Sequence, residues 1–180
     1  MDPLPVLATR EPYRNHFFRV VEEDVPDRLG RPYAYNTVAC ALDVVVVIPL
    51  LSDGRLVIER IYRHPYRRTF LEFPAGGIES SEDPLAAAAR ELAEETGYHA
   101  GRLRPLQTFA TLPGLLHMTT HLILAEDCVL TSATAHEAME HIEVVTMDLD
   151  QAWAAARAEP LASAFLMQGL SALAARQHEA

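Results

Sequence analysis

Three carboxylates, Glu91, Glu94 and Glu95, stand at i, i+3 and i+4 in the segment EDPLAAAARELAEETGY. If the segment is helical, the three share one side, with Leu85, Ala89, Leu92 and Thr96 opposite. Just ahead lies FPAGGIESSEDP, where Pro74 and the pair Gly76-Gly77 predict a tight connection from a strand into the helix. Glycine lets backbone groups approach a ligand closely. Carboxylates facing such a loop form a hard-oxygen cage suited to Mg2+ or Mn2+, whose preferred ligands are carboxylates, carbonyls and water. Metal-assisted attack of water on a phosphoanhydride is the chemistry that such a set can perform. The helix taken alone reads more simply as a solvated Ala/Glu surface, because each like-charge pair costs only about 0.2–0.5 kcal/mol. The glycine loop is what shifts the balance.

The elements that must hold these groups follow from local signals. Asp83 is placed to cap the helix, Pro84 to open it and Gly97 to end it. Residues 16–22 and 33–39 read as a hairpin or two edge strands. The run VVVVIPL is apolar without alternation, as for a central strand covered on both faces. After the turn SDGR, LVIERIYR is its expected antiparallel neighbour. Further strands are expected at 69–73, 103–111, 121–125 and 142–147, and a helical region at 150–175, split by Pro160. These elements predict an α/β (α+β) fold, a mixed sheet sandwiched between helices, with an N-terminal hairpin.

Composition narrows the function. The 180 residues suit one domain, and 49% hydrophobic with 22% charged residues are ordinary globular values. All 15 basic residues are Arg, so no mechanism can use a lysine amine. A net charge of −10 opposes broad binding to nucleic acid. Cys40 and Cys128 lie inside apolar runs and indicate no disulfide framework. MDPLPVLATR lacks the pattern of a secretion signal, and the longest apolar run is broken by Asp43 and Pro49. The expectation is a cytoplasmic protein without a membrane span.

The 23-residue segment GGIESSEDPLAAAARELAEETGY resembles the Nudix box, and its seven identity-fixed positions all match: Gly76, Glu82, Arg90, Glu91, Glu94, Glu95 and Gly97. Leu92 fits the aliphatic position, and Tyr98 departs from the last one as an aromatic. The resemblance implies a Nudix fold in which Glu91, Glu94 and Glu95 ligate Mg2+ or Mn2+, with the Ala75 carbonyl contributing and Glu82 in an outer shell or on a further metal. It implies that Arg90 orients a glutamate, for which paired guanidinium hydrogen bonds are suited.

The flanking segment IYRHPYRRTFLEFPAGGIE resembles the ADP-ribose pyrophosphatase branch. Tyr62, Arg63 and Glu72 occupy matching positions, while Ile61 replaces the usual Gln and Phe73 the usual Leu. Pro113, followed by Gly114, matches a proline that this branch carries after the box. The resemblance implies a small-molecule nucleoside diphosphate substrate contacted by Arg63, Glu72, Pro113 and Gly114, and hydrolysis of ADP-ribose to AMP and ribose 5-phosphate. Leu116 and Met118 cannot hydrogen-bond a ribose, which leaves GDP-mannose or another nucleotide sugar as an alternative. A domain that senses ADP-ribose without cleaving it is a more distant one. Arg67 and Arg68 add positive charge beside the loop or belong to a solvated surface. Tyr13, Phe17, Phe18 and Tyr33 read as core rather than as a purine stack, and His117 and His121 as structural.

By the same resemblance the general base lies outside the box, in ATAHEAMEHIEVV. Glu140 aligns best, Glu137 is the second choice, and Glu143 is an alternative ligand. The domain is expected to run over 1–180, with strands at 1–39 exchanged in a homodimer and a catalytic core at 40–180.

Overall fold

The computed structural model describes residues 2–177. In chain order the strands are β1 (Ala8–Arg14), β2 (Phe18–Pro26), β3 (Pro32–Cys40), β4 (Val44–Leu51), β5 (Leu56–Arg63), β6 (Arg68–Glu72) and β7 (Ala75–Gly77). Helix α1 (Pro84–Glu91) follows, then β8 (Tyr98–His99), β9 (Arg102–Ala110), β10 (Leu116–His117), β11 (Thr119–Leu130) and β12 (Ile142–Met147), and finally α2 (Leu149–Ala158) and α3 (Ala164–Gln177). Two compact units result. One takes the described residues up to Asp43 with Phe109–Thr120, the other Val44–Thr108 and the described residues from His121 onward.

The first unit is a four-stranded sheet in the order β1-β2-β3-β10, with β10 parallel to β3 and the other pairs antiparallel. Asn15 closes the β1–β2 turn by accepting the N–H groups of Phe17 and Phe18 at 2.8 Å each. β1 has no counterpart in the sequence reading. Every residue of ATREPYR is exposed, so no apolar alternation marks it, and its register shifts between Arg10 and Tyr13, around Pro12. Tyr13, Phe17 and Tyr33 are exposed rather than core, and Phe18 is half-buried.

In the second unit β4 is covered on both faces, as its unbroken apolar run predicts. Val45 and Val47 belong to one core with Ala87 and Ala88 of α1, Leu92 just beyond it, and Ile123 and Ala125 of β11. Ile48, on the opposite face of the strand, packs against α3 near Gly169 and Phe73. The sheet is thus sandwiched between helices, and the expected α/β class holds. Cys40 and Cys128 are both free. Pro160 lies in the break between α2 and α3, and a capping box of Asp148 and Gln151 starts α2.

The expected β4–β5 ladder is reduced to a single pair, Leu50 opposite Leu56. Pro49, next along, has no N–H to donate. Beyond it the strands splay. β4 takes β7 as partner, with Val46 opposite Ala75 and Val44 opposite Gly77, and the Val47 N–H donates to the Pro74 carbonyl at 2.8 Å. β5 takes β6, with Glu59 opposite Glu72. Phe73 and Pro74 carry the chain from one strand's edge to the other.

Gly169 tests the packing of α3. Alanine there gains up to about 1 kcal/mol in helix propensity. Its Cβ, however, would lie 2.4 and 2.6 Å from ring carbons of Phe73, which is 1% exposed. Overpacking of that kind costs about 1–3 kcal/mol. Gly169→Ala is therefore expected to lower the urea midpoint, and a raised midpoint would show that the Phe73 ring gives way.

Candidate active site

Asp83 caps α1 by accepting the Leu85 N–H at 2.8 Å, and Pro84 opens it. After Glu91 the backbone widens into one π-helical turn, Leu92–Thr96, which ends at Gly97 with φ +75°. Such turns relocate side chains relative to a regular helix. The three glutamates consequently differ in setting. Glu94 is exposed, Glu91 is half-buried, and Glu95 is 5% exposed. This departs from the uniform carboxylate face expected of a regular helix, and Ala89, assigned to the apolar side, is exposed while Ala87 and Ala88 are buried.

Glu95 turns towards the glycine loop, where its Oε2 accepts the Ala75 N–H at 2.9 Å. Glu91 lies against Gly76. A Cβ on that glycine would fall 2.1 Å from the Glu91 Cδ and Oε1, so only hydrogen leaves the carboxylate room. Arg90 gathers the surrounding acids. Its Nε and NH2 each meet a Glu82 oxygen at 3.0 Å, its NH1 donates to Glu91 at 2.7 Å and to Glu94 at 3.2 Å, and its NH2 reaches the Gly77 carbonyl at 2.9 Å. The Arg90 guanidinium and the Glu79 N–H hold the Glu82 carboxyl below the usual range.

β5 and β6 supply the opposite wall. Arg63 forks onto Glu72, with Nε to Oε1 at 3.3 Å and NH2 to Oε2 at 2.7 Å. Arg68 turns elsewhere, pairing with Glu159 and lying over the Phe70 ring. Glu59 was not singled out from the sequence, where it sits inside LVIERIYR like any solvent-facing residue of an alternating strand. It is 1% exposed, and its Oε1 has no hydrogen-bond partner among the described residues.

The segment before β12 is tied to the end of the box. The Ala135 N–H donates to the Glu94 carbonyl at 2.7 Å, and His136 Nε2 lies 2.7 Å from the Glu95 carbonyl oxygen. Sequence reasoning missed His136 because its partner is a backbone atom 41 residues away. Glu140 is half-buried, and its negative charge raises the proton affinity of Glu59, Glu91 and Glu95. Glu137 is exposed and donates its N–H to Glu140 Oε2 at 2.7 Å. Glu143 points away, within 3.7 Å of Arg60 on the exposed face. Pro113 and Gly114 belong to the first unit, where both are exposed and the Gly114 carbonyl accepts from the Tyr35 hydroxyl at 2.9 Å.

The residues fit a hard cation. Burial is the main cause that pushes the Glu59, Glu91 and Glu95 carboxyls up, and their mutual repulsion adds to it. Ionised carboxylates in that setting need paired charges or a metal. The donor set is all oxygen, which matches Mg2+ or Mn2+. Among the described residues no three ligating side chains already converge, in keeping with the pull of Arg90 on Glu91 and Glu94.

A sandwiched sheet with this acid-lined strand, loop and helix defines a class of proteins that place carboxylates beside a glycine-rich connection. Residues 41–168 match the NUDIX domain, and the chain belongs to that family. It is 37% identical over 109 residues to the ADP-ribose pyrophosphatase of Bacillus subtilis (strain 168), covering 60% of this chain and 59% of that protein. It is 41% identical over 107 residues to the ADP-sugar pyrophosphatase of Mus musculus, covering 54% and 49%. The matched stretch spans less than two thirds of the length of these curated relatives. The crystal structure of an ADP compounds hydrolase superposes with a TM-score of 0.88 over 99% of this chain and 96% of that one; at 22% identity the likeness is one of fold.

The raised carboxyls make stability depend on pH. Glu59 and Glu95 hold protons more tightly in the folded chain than at their ordinary value of 4.5. Their contribution is complete below that value and is lost as pH rises through the raised folded values. With divalent ions chelated, the denaturation midpoint is expected to fall from about pH 5 to about pH 9, and saturating Mg2+ should flatten the slope. A flat profile in chelator would contradict the burial of these acids.

Proposed function

We propose that the chain is a divalent-cation-dependent hydrolase that cleaves the pyrophosphate of ADP-ribose or a related nucleotide sugar, giving AMP and ribose 5-phosphate from ADP-ribose. The observation that carries this reading is the meeting of Glu91 and Glu95 with Ala75 and Gly76 at the splay of β4 and β5. The likeness to an ADP-ribose pyrophosphatase and an ADP-sugar pyrophosphatase supports the substrate class.

In this reading Glu91, Glu95 and the Ala75 carbonyl hold Mg2+, or Mn2+ in its place, with Glu94 beside them. A cation bound there would supply charge to offset the diphosphate and would lower the pKa of a nearby water. Arg90 keeps the glutamates in register, and Glu82, which receives both arms of that guanidinium, anchors Arg90 from outside. Arg63, held by two hydrogen bonds to Glu72, presents fixed positive charge to a phosphate. Glu140 takes the proton from the attacking water, and its half-buried place among the acids favours it over the exposed Glu137. GDP-mannose or another nucleotide sugar is the second reading, because the sequence offers at Leu116 and Met118 no side-chain hydrogen bond for a ribose.

Purified protein with Mg2+ is expected to release AMP from ADP-ribose, followed by chromatography against a panel of other nucleotide sugars and dinucleotides. Glu95→Gln should abolish release. Glu140→Gln should lower turnover by about 10²–10⁴ with metal affinity unchanged, and wild-type turnover in that variant would move the proton transfer elsewhere. Preferential cleavage of another member would keep the chemistry and replace the substrate. Binding of ADP-ribose without cleavage would favour a sensor.

The first unit is proposed to pair with a second copy of the chain. Tyr13, Phe17, Leu29, Tyr33 and Tyr35 are all exposed there, and a second copy that covered them would remove that apolar surface from water. Light scattering behind size exclusion is expected to give twice the 20.0 kDa chain mass at micromolar concentration. A 20.0 kDa species alone would end the proposal.

A further inference from the structure

Glu59 has no task in the reading above. It lies on a strand whose neighbours Leu56, Val57, Ile58 and Ile61 form the core, and an aliphatic side chain would serve that core better. A structural acid so buried is normally hydrogen-bonded through both oxygens. Glu59 is not, since its Oε1 has no partner among the described residues.

Its position explains why no partner reaches it. The register sets Glu59 directly opposite Glu72 on β6 and opposite Val144 on β12. Side chains directly opposite on neighbouring strands share a face, about 4.5–5.5 Å apart at Cβ. Arg63, four residues on along β5, projects to that face too, but it directs both Nε and NH2 to Glu72. The acids Glu140, Glu72 and Glu91 act on Glu59 besides Arg63, and Glu59 is in turn the charge that acts most on Glu95. An unfilled carboxylate oxygen, closed off from solvent and facing other carboxylates, is what a bound hard cation requires.

We propose that Glu59 is a further ligand of the divalent-cation site, contributed by the sheet rather than by the box, and shared with Glu95. The inference rests on reading the acidic pocket as a cation site. It assigns β5 a direct part in binding: the metal is held between helix and sheet, and not by one strand, loop and helix alone.

Mn2+ is the probe, titrated into full-length wild type, Glu59→Gln and Glu91→Gln, with free Mn2+ read by electron paramagnetic resonance and the Mn2+-induced rise in Tm read by calorimetry. Glutamine keeps the shape of the protonated acid and removes the charged oxygen. The expected result for Glu59→Gln is a Tm without metal at or above wild type, and Mn2+ binding weakened about tenfold or more or one ion lost. A Glu59→Gln isotherm that superimposes on wild type, with Glu91→Gln weakened, overturns the role of Glu59 and leaves the cation site standing. A folded wild type that takes up no Mn2+ sinks both. Should Glu59→Gln fail to fold, Glu59→Leu replaces the orphaned acid by an apolar side chain suited to the core. Its Mn2+-induced rise in Tm is expected to be smaller than that of wild type, and an equal rise overturns the proposal.

Discussion

More carboxyl groups than guanidinium groups gather where β4 and β5 part, and much of the second unit is arranged around that imbalance. Glu59 and Glu72 stand opposite each other on paired strands, and Glu91 and Glu95 meet the adjoining glycine loop, with Arg63 and Arg90 supplying the guanidinium groups. Arg63 is committed to Glu72, and Arg90 lies on the helix side, where it holds Glu82, Glu91 and Glu94. Of the innermost acids, Glu95 accepts the Ala75 N–H, and Glu59 Oε1 has no hydrogen-bond partner among the described residues. Low dielectric makes such groups strongly avid for a proton or a cation.

The splay that creates this pocket has a local cause. Pro49 interrupts the ladder after one pair, and the strand edges left open are taken up by β6 on one side and β7 on the other. The short crossing through Phe73 and Pro74 therefore links the Glu72 wall to the Ala75-Gly76 floor. Phe73, buried beneath Gly169 of α3, fixes that crossing from the far face of the sheet. Gly76 is required by the near face, where the Glu91 carboxylate fills the space of its missing Cβ. Helix packing on one side and the seating of the Glu91 carboxylate on the other thus meet in five consecutive residues, Glu72 to Gly76.

The π turn after α1 joins the box to the later chain. It rotates Glu95 inward and brings the carbonyls of Glu94 and Glu95 into reach of Ala135 and His136. Those two contacts hold the segment that carries Glu140 beside the acids although the chain makes no regular structure there. The segment that carries Glu140 and the glutamates of the helical segment are in this way referred to the same turn of helix.

Much of this was legible in the residues alone. The spacing of Gly76, Glu82, Arg90, Glu91, Glu94, Glu95 and Gly97 marked the site, and Asp83, Pro84 and Gly97 marked the ends of its helical segment, because caps and breakers act over a few residues. The uninterrupted apolar run of β4 announced a strand buried on both faces for the same local reason. Other features depend on partners distant in sequence. β1 carries no apolar alternation, β7 is three residues long, and the β4–β5 pairing was expected to be complete because a turn predicts its own ladder but not a competitor for the strand's edge. Glu59 shows the limit most plainly. In sequence it is one charged residue in an alternating strand, and only the tertiary packing around β5, between β6 and β12, removes it from water and leaves its Oε1 without a partner among the described residues.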